Sequence, residues 1–521
     1  MGMPVPSTPS TAIRDLSIAI PIAFALRLAN LILTNRVIDM ADAIHYINMA
    51  RQFVAGDALN FDENLPVLYS LFGAAFYWLT DDWERAFWIV SLISSSLLTI
   101  PIYFIARELH GPKSARLSIA FIGCWPWLID YACRIAPEAL AVTLWFTAIW
   151  LLYLGIQGNA KALYIAPIAF FALHLTRPEG TFLMLGSPVA AAACLCYKES
   201  AAHWKRLGIY TVLIASLTVA YALTMRAIIG TPTVAYRAPV STDLLEYFNN
   251  AAVPLAETFL RLNFDVLPVM LGPLLLIFFG IGFFRYSDTA RVPRLEALLL
   301  AFCLLQWAMT VVNLTPAPRY IMTVIIAMSL WSVKGIELLH DRAKYFPKYR
   351  WLRVVPATLV FLTFGIGLAE PLAAQYYGNM PRIALEYKVA GRWMEDHLEP
   401  GFILCRKPQV GFYANMASIG PDTTHTPDTL SELAKEIGAR YLVFDARHSE
   451  NILPALSLLL DENFSHPHYK LLNDTTSDRE DTRVVIYQFI TPGIEYMTPD
   501  EYPQMSSHYR PGQQRRRTDT P

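Results

Sequence analysis

LSIAIPIAFALRLANLILTNRVIDMADAIHYINMARQF, residues 16–53, joins an apolar run to a short polar stretch that holds two aspartates. About 20 helical residues cross the hydrocarbon of a bilayer, and residues 16–34 meet that length. No small-residue cleavage site stands out behind the run, which is also long for a signal peptide. It is therefore expected to be a retained first span. Arg27 lies in its middle, where a charge is costly and must find a partner or snorkel to the interface.

The rest of the chain extends this reading. Of 521 residues, 54% are hydrophobic and 16% charged, and mean hydropathy is +0.34. Soluble domains average about 45–50% apolar and about 25% charged residues, so the deviation is toward a bilayer. With a formal net charge of -1 there is no global field to steer nucleic acid, and no nucleic-acid partner is expected. The 12 Trp and 26 Tyr suit interfacial belts.

Apolar runs at 16–34, 84–106, 115–129, 138–155, 162–175, 181–197, 208–229, 266–284, 295–313, 319–337 and 353–370 predict an α-helical polytopic bundle of about 11 spans. Residues 65–79 are too short to span comfortably and read as a re-entrant or interfacial helix. The Lys/Arg-rich loops RELHGPKSAR, YKESAAHWKRLG, FFRYSDTARVPR and KGIELLHDRAKYFPKYRWLR alternate in the register expected if all four are cytoplasmic. The N-terminus is then inside and the C-terminus outside.

After residue 371 the pattern changes. FILCRKP (402–408), YLVFDAR (441–447) and VVIYQF (484–489) read as buried strands. TPDTLSELAKEIG (426–438) opens with capping residues and closes on Gly438, as a helix should. The expected domains are a membrane domain over 1–370, an extracytoplasmic α/β domain over 371–490 and a disordered tail over 491–521. Of the six cysteines, Cys124, Cys194, Cys196 and Cys303 lie in apolar runs and none has metal spacing. Cys133 and Cys405 could both face the oxidising side, and sequence leaves open whether they meet.

Few ionisable residues remain on the outer loops, and they sit against spans. In IDMADAIHYINMARQF (38–53), Asp39, Asp42 and Tyr46 share a face if the stretch is helical. A carboxylate at a membrane surface can serve as a general base, whereas the plainer role is helix capping. In CRIAPEAL (133–140), Arg134 and Glu138 stand four apart and could form an ordinary helix-surface pair. HLTRPEG (174–180) gathers His174, Arg177 and Glu179 in a turn that could equally be structural. NLTPAPRY (313–320) sets Arg319 and Tyr320 at the mouth of a span, to bind phosphate or anchor to headgroups. Together, carboxylates and arginines converge where a lipid-linked phosphate could be held.

The arrangement resembles the GT-C glycosyltransferases that use polyprenyl-phosphate sugars, in the branch of protein O-mannosyltransferases and lipid A aminoarabinose transferases. DAIHY (42–46) looks like that family's first-loop Asp–Glu–x–x–Tyr motif. The stretch from NLPVLYSLFGAAFYWL to RIAPEALAVTLWF (64–146) is similar to its core, and TRPEG and PRY recur in related enzymes. Ala43 stands where the family has Glu, so Asp42 is the residue carried over as catalytic. Asp39 lies outside the motif and is a weaker second carboxylate, while Glu138 matches the acid that opens the fourth span.

The resemblance implies transfer of a sugar from a polyprenyl phosphate to an unidentified extracytoplasmic acceptor, with Asp42 as base. Tyr46, Arg134, His174, Arg177, Glu179, Arg319 and Tyr320 are the candidate substrate contacts, and the cell inner membrane is the expected location. No cofactor and no metal are expected. The alternative is a transporter or flippase of a lipid-linked or small anionic substrate, which should show paired broken spans and internal repetition.

Overall fold

The computed structural model describes residues 9–34, 36–56, 66–195, 201–229, 254–285, 293–312, 317–345, 354–376, 385–447, 452–475 and 482–497. The chain forms two compact units. One is Met1–Asn35 with Met49–Asn379; the other is Arg36–Asn48 with Met380–Pro521.

In the first unit the described residues of each of the eleven apolar runs are mainly helical. Six helices are long and apolar enough to cross a membrane: Thr11–Leu33, Trp83–His110, Glu138–Gln157, Ala201–Ala227, Arg294–Val312 and Pro318–Arg342. A seventh arises only if Pro254–Leu271 and Pro273–Phe284 count as one, since they meet at 98°. Gly272 makes that bend at φ 79°, a conformation open to a residue without Cβ. The expected count of about 11 is therefore not reached on length and composition among the described residues. Some runs are cut short by Pro and turn residues: Pro112–Cys124 breaks before Pro126–Ala132, and Ala160–His174 turns through TRP into Glu179–Leu195. Residues 65–79 contribute the helix Leu68–Thr80, turned back by Asp81 at φ 49° so that Tyr77 stacks on Trp83 at 3.8 Å.

Arg27 is buried, and its charge is met by oxygens rather than by a carboxylate. Its Nε donates to Ser95 Oγ at 2.7 Å, Nη1 to the carbonyls of Ala23 and Gly123 at 2.9 and 3.0 Å, and Nη2 to that of Ile122 at 3.3 Å. Such donation satisfies a guanidinium that cannot reach water. The Cys133 thiol donates to the Arg27 carbonyl at 3.3 Å, and neither Cys133 nor Cys405 is in a disulfide.

The tightest helix crossing is made by two glycines. A Cβ on Gly282 would lie 1.9 Å from the Trp331 carbonyl oxygen, and one on Gly335 would lie 2.0 Å from that of Phe278. Small residues let membrane helices approach backbone to backbone. Gly335→Val is expected to destabilise the detergent-solubilised protein by at least about 1–3 kcal/mol, read as a lower melting temperature. An unchanged melting temperature would contradict the close crossing.

The second unit is an α/β fold with strand order β2-β1-β3-β5-β4. The strands are β1 (Phe402–Cys405), β2 (Ser418–Ile419), β3 (Ala439–Asp445), β4 (Tyr469–Thr475) and β5 (Val484–Phe489). β1 pairs parallel with both β2 and β3, while β5 lies antiparallel between β3 and β4. Alternation along the strands splits the core. Leu404, Leu442, Phe444 and Tyr487 face the helix Pro427–Ile437, whereas Ile403, Val443 and Ile486 face Leu385–His397. Both faces are covered, which is why these strands read as unbroken apolar runs. The Pro427–Ile437 helix is capped by Thr426 with a reciprocal bond from Thr429, and it ends at Gly438 with φ 65°. Of the tail, residues 491–497 are described. Ile494 and Met497 pack against the core, and Met497 N donates to the Gly438 carbonyl at 3.0 Å. Residues 498–521 lie outside the described residues.

Candidate active site

Glu138 opens the helix Glu138–Gln157 directly after Pro137, a position where proline fits the first turn. Its side chain is only 2% exposed, so it needs cationic partners. Arg177 Nη1 donates to Glu138 Oε1 at 2.9 Å. The same guanidinium grips Glu179 in a fork, Nε to Oε2 at 3.1 Å and Nη2 to Oε1 at 3.2 Å. Arg319 Nη1 stands 4.0 Å from Glu138 Oε1, and its Nη2 donates to the Tyr320 hydroxyl at 2.9 Å. Both guanidinia lie over the Tyr320 ring, at 5.0 and 4.9 Å from its centre. Burial works most strongly against the charge on Arg177. Glu179 and Glu138 nevertheless outweigh it and hold that guanidinium above its ordinary value.

These residues, with Trp145, Leu173, Leu183 and Thr323, line one cleft of about 340 Å³, a volume that includes its open mouth. Three polar atoms on its lining residues are buried without a hydrogen-bond partner: Glu138 Oε2, Trp145 Nε1 and Thr323 Oγ1. A buried acceptor and two buried donors left open in one cleft are costly unless a polar ligand meets them. Two glutamates and two arginines leave it with no excess charge, and Arg319 is the more open cation, 25% exposed against 13% for Arg177.

The other outer-loop candidates go elsewhere. Arg134 pairs with Asp130, Nη2 to Oδ2 at 2.9 Å, and lies over the Tyr131 ring. That carboxylate, four residues earlier, takes the arginine that spacing alone allows to Glu138. His174 is buried, with Nδ1 at 2.8 Å from Thr181 Oγ1 and its ring edge-on to Tyr221. It holds the turn and is not among the cleft's lining residues. Gln306 was not singled out by sequence, though a lone amide in an apolar run is a signal. Its Nε2 donates to the Tyr320 carbonyl at 2.9 Å, fixing the backbone beside Arg319.

Asp39, Asp42 and Tyr46 belong to the second unit. The helix runs from Ala41 to Ala55, so Asp42 lies in its first turn while Asp39 lies in the extended lead-in. Asp42 is exposed and Tyr46 buried. Ala43, Tyr46, Ile47 and Ala50 are all buried, a helical stripe that small and aromatic residues complete and that Ile44, Ile47 and Met49 do not mark by themselves. Among the described residues no cluster of His, Cys, Asp and Glu could hold a metal ion.

Known structures share the fold. ArnT from Cupriavidus metallidurans in the apo state superposes with a TM-score of 0.56 at 14% identity, covering 92% of this chain and 98% of ArnT. The chain has the GT-C fold. ArnT bound to undecaprenyl phosphate matches at 0.51 and 13% identity, over 94% of this chain and all of that one (100%). The archaeal oligosaccharyltransferase AglB from Archaeoglobus fulgidus, in complex with an inhibitory peptide and a dolichol-phosphate, shares the GT-C fold. It matches at 0.58 and 11% identity, over 95% of this chain and 75% of AglB. The family model of dolichyl-phosphate-mannose-protein mannosyltransferases matches residues 64–225, a stretch that includes Glu138, Arg177 and Glu179 but ends before Arg319. No curated protein matches the chain in sequence.

Proposed function

We propose that this membrane protein transfers a sugar from a polyprenyl phosphate to an acceptor hydroxyl outside the cytoplasm. The acceptor oxygen attacks the anomeric carbon, the bond from that carbon to the phosphate oxygen breaks, and prenyl phosphate leaves. Asp42 takes the proton of the acceptor hydroxyl. Negative charge grows on the leaving phosphate, so a cation fixed in advance lowers the barrier. Arg319 is assigned that role as the more exposed of the cleft's two guanidinia, 25% against 13% for Arg177. Glu138 and Arg177 set the cleft that Arg319 completes. The loop charges support a cytoplasmic N-terminus and a C-terminal domain on the far side of the cell inner membrane.

The observation that carries the reading is the cleft itself. It holds a buried carboxylate between two guanidinia, and three buried polar atoms of its lining residues lack hydrogen-bond partners. The bound prenyl phosphates in the ArnT and AglB structures are consistent with it. One bent helix pair is present among the described residues, and a transporter of the inverted-repeat kind calls for a matching second one. The test is transfer of radiolabelled sugar from a polyprenyl phosphate in membranes carrying the protein. Turnover supports the reading. No turnover across polyprenyl-phosphate hexoses and pentoses, with binding and translocation of the lipid intact, would overturn it in favour of transport.

A further inference from the structure

Across 370 positions of sequence, the C-terminal α/β domain meets the acidic first loop, since Arg36–Asn48 folds as part of that unit. Two buried side chains of the short helix Pro408–Tyr413 make the connection. Gln409 is 0% exposed, and its Nε2 donates to the Asp39 carbonyl at 3.3 Å. Its Oε1 has no hydrogen-bond partner, so the amide's bond to the loop is the polar contact that accounts for an otherwise costly buried glutamine. Tyr413 is 1% exposed, and its hydroxyl accepts from Ile38 N at 3.0 Å. Val37 and Ile38 are themselves buried beside these bonds.

The place of that helix in the sheet is informative. β1 has β2 on one side and β3 on the other, all three parallel, so connections leave β1 and reach β3 from opposite sides. In open α/β sheets the crevice beyond the carboxyl ends of the strands at such a point is where ligands bind. Pro408–Tyr413 follows the carboxyl end of β1, and the groups it presents are used on the protein's own backbone. The bonded residues Ile38 and Asp39 stand four and three positions before Asp42, which begins the helix Ala41–Ala55.

We infer that Gln409 and Tyr413 are positioning residues: the C-terminal domain clamps the first-loop backbone and so sets the location and direction of Asp42. This rests on the transferase reading above. A base displaced by about 1 Å can lose about 10²-fold in rate, so a backbone anchor within one helical turn of Asp42 bears directly on kcat.

The test combines hydrogen exchange and kinetics on the full-length protein in nanodiscs, for the wild type, Tyr413→Phe, Gln409→Met and the double variant. Both substitutions keep the buried volume and remove the polar contact. Exchange in peptides covering residues 36–48 is expected to speed up about tenfold or more, with peptides of β1 and β3 unchanged. In the same variants kcat is expected to fall about tenfold or more, with donor KM within about twofold. A merely structural role would loosen the strands as well and would not separate kcat from KM. Unchanged exchange in residues 36–48 would overturn the clamp. Faster exchange there with unchanged kcat would overturn its role in positioning. A wild type that transfers no sugar while the variants still loosen residues 36–48 would sink the transferase reading and, with it, the positioning role, leaving only the clamp.

Discussion

Asp42→Asn is expected to lower kcat for sugar transfer by about 10²–10⁴-fold, the usual worth of a placed general base. The substitution is nearly isosteric, and Asp42 is exposed in the first turn of its helix. The favourable interaction of a carboxylate with a helix N-terminus, about 0.3–1 kcal/mol, is lost. Folded protein should therefore be recovered in normal amounts, and the loss of rate can be assigned to chemistry. Initial rates at saturating donor, alongside size-exclusion profiles of both proteins, make the measurement. Equal rates would remove Asp42 from the mechanism and direct attention to Asp39, three residues earlier in the extended lead-in, and to Glu138.

Arg319→Ala and Arg177→Ala are expected to fail in different ways. Arg319 is the more exposed guanidinium and stands 4.0 Å from Glu138. Its removal leaves the short Arg177 pairs with Glu138 and Glu179 in place. The protein should fold, and kcat should fall about 10²–10³-fold, the scale seen when one fixed stabiliser of transition-state charge is lost. Arg319→Lys should recover part of the rate, since it restores charge without the planar fork. Arg177→Ala instead strips the near partner from two buried carboxylates. Breaking a buried pair from one side costs about 3–5 kcal/mol, so this variant should show reduced melting temperature and yield before any kinetic defect can be read. If Arg319→Ala were fully active, the leaving phosphate would need another cation. If Arg177→Ala were as stable as the wild type, the cleft would not depend on its ion pairs.

Much of this was legible along the chain because it depends on local period and length. A bilayer asks for apolar runs of a given length, and the described residues of these runs are mainly helical, though only six or seven reach spanning length. The strands Phe402–Cys405, Ala439–Asp445 and Val484–Phe489 were visible as β-branched and aromatic runs. Thr426 and Gly438 marked the ends of their helix through cap chemistry that acts within a few residues. The short strand Ser418–Ile419 and the more polar Tyr469–Thr475 were not visible, because their place depends on neighbours in the sheet. Arg177 and Arg319 could be named as candidates, since cations at the mouths of apolar runs are rare enough to notice.

By itself, then, the sequence determined the membrane class, the helical runs, the appended α/β domain and the short roll of charged residues from which any site must be built. Tertiary structure alone decided that Glu138 goes to Arg177 with Arg319 nearby, and that the first loop folds with the C-terminal unit. The physical reason is the range of the interactions involved. Apolar periodicity and caps act within a few residues, whereas a buried ion pair or a backbone clamp exists only where packing brings distant segments within about 3 Å of each other.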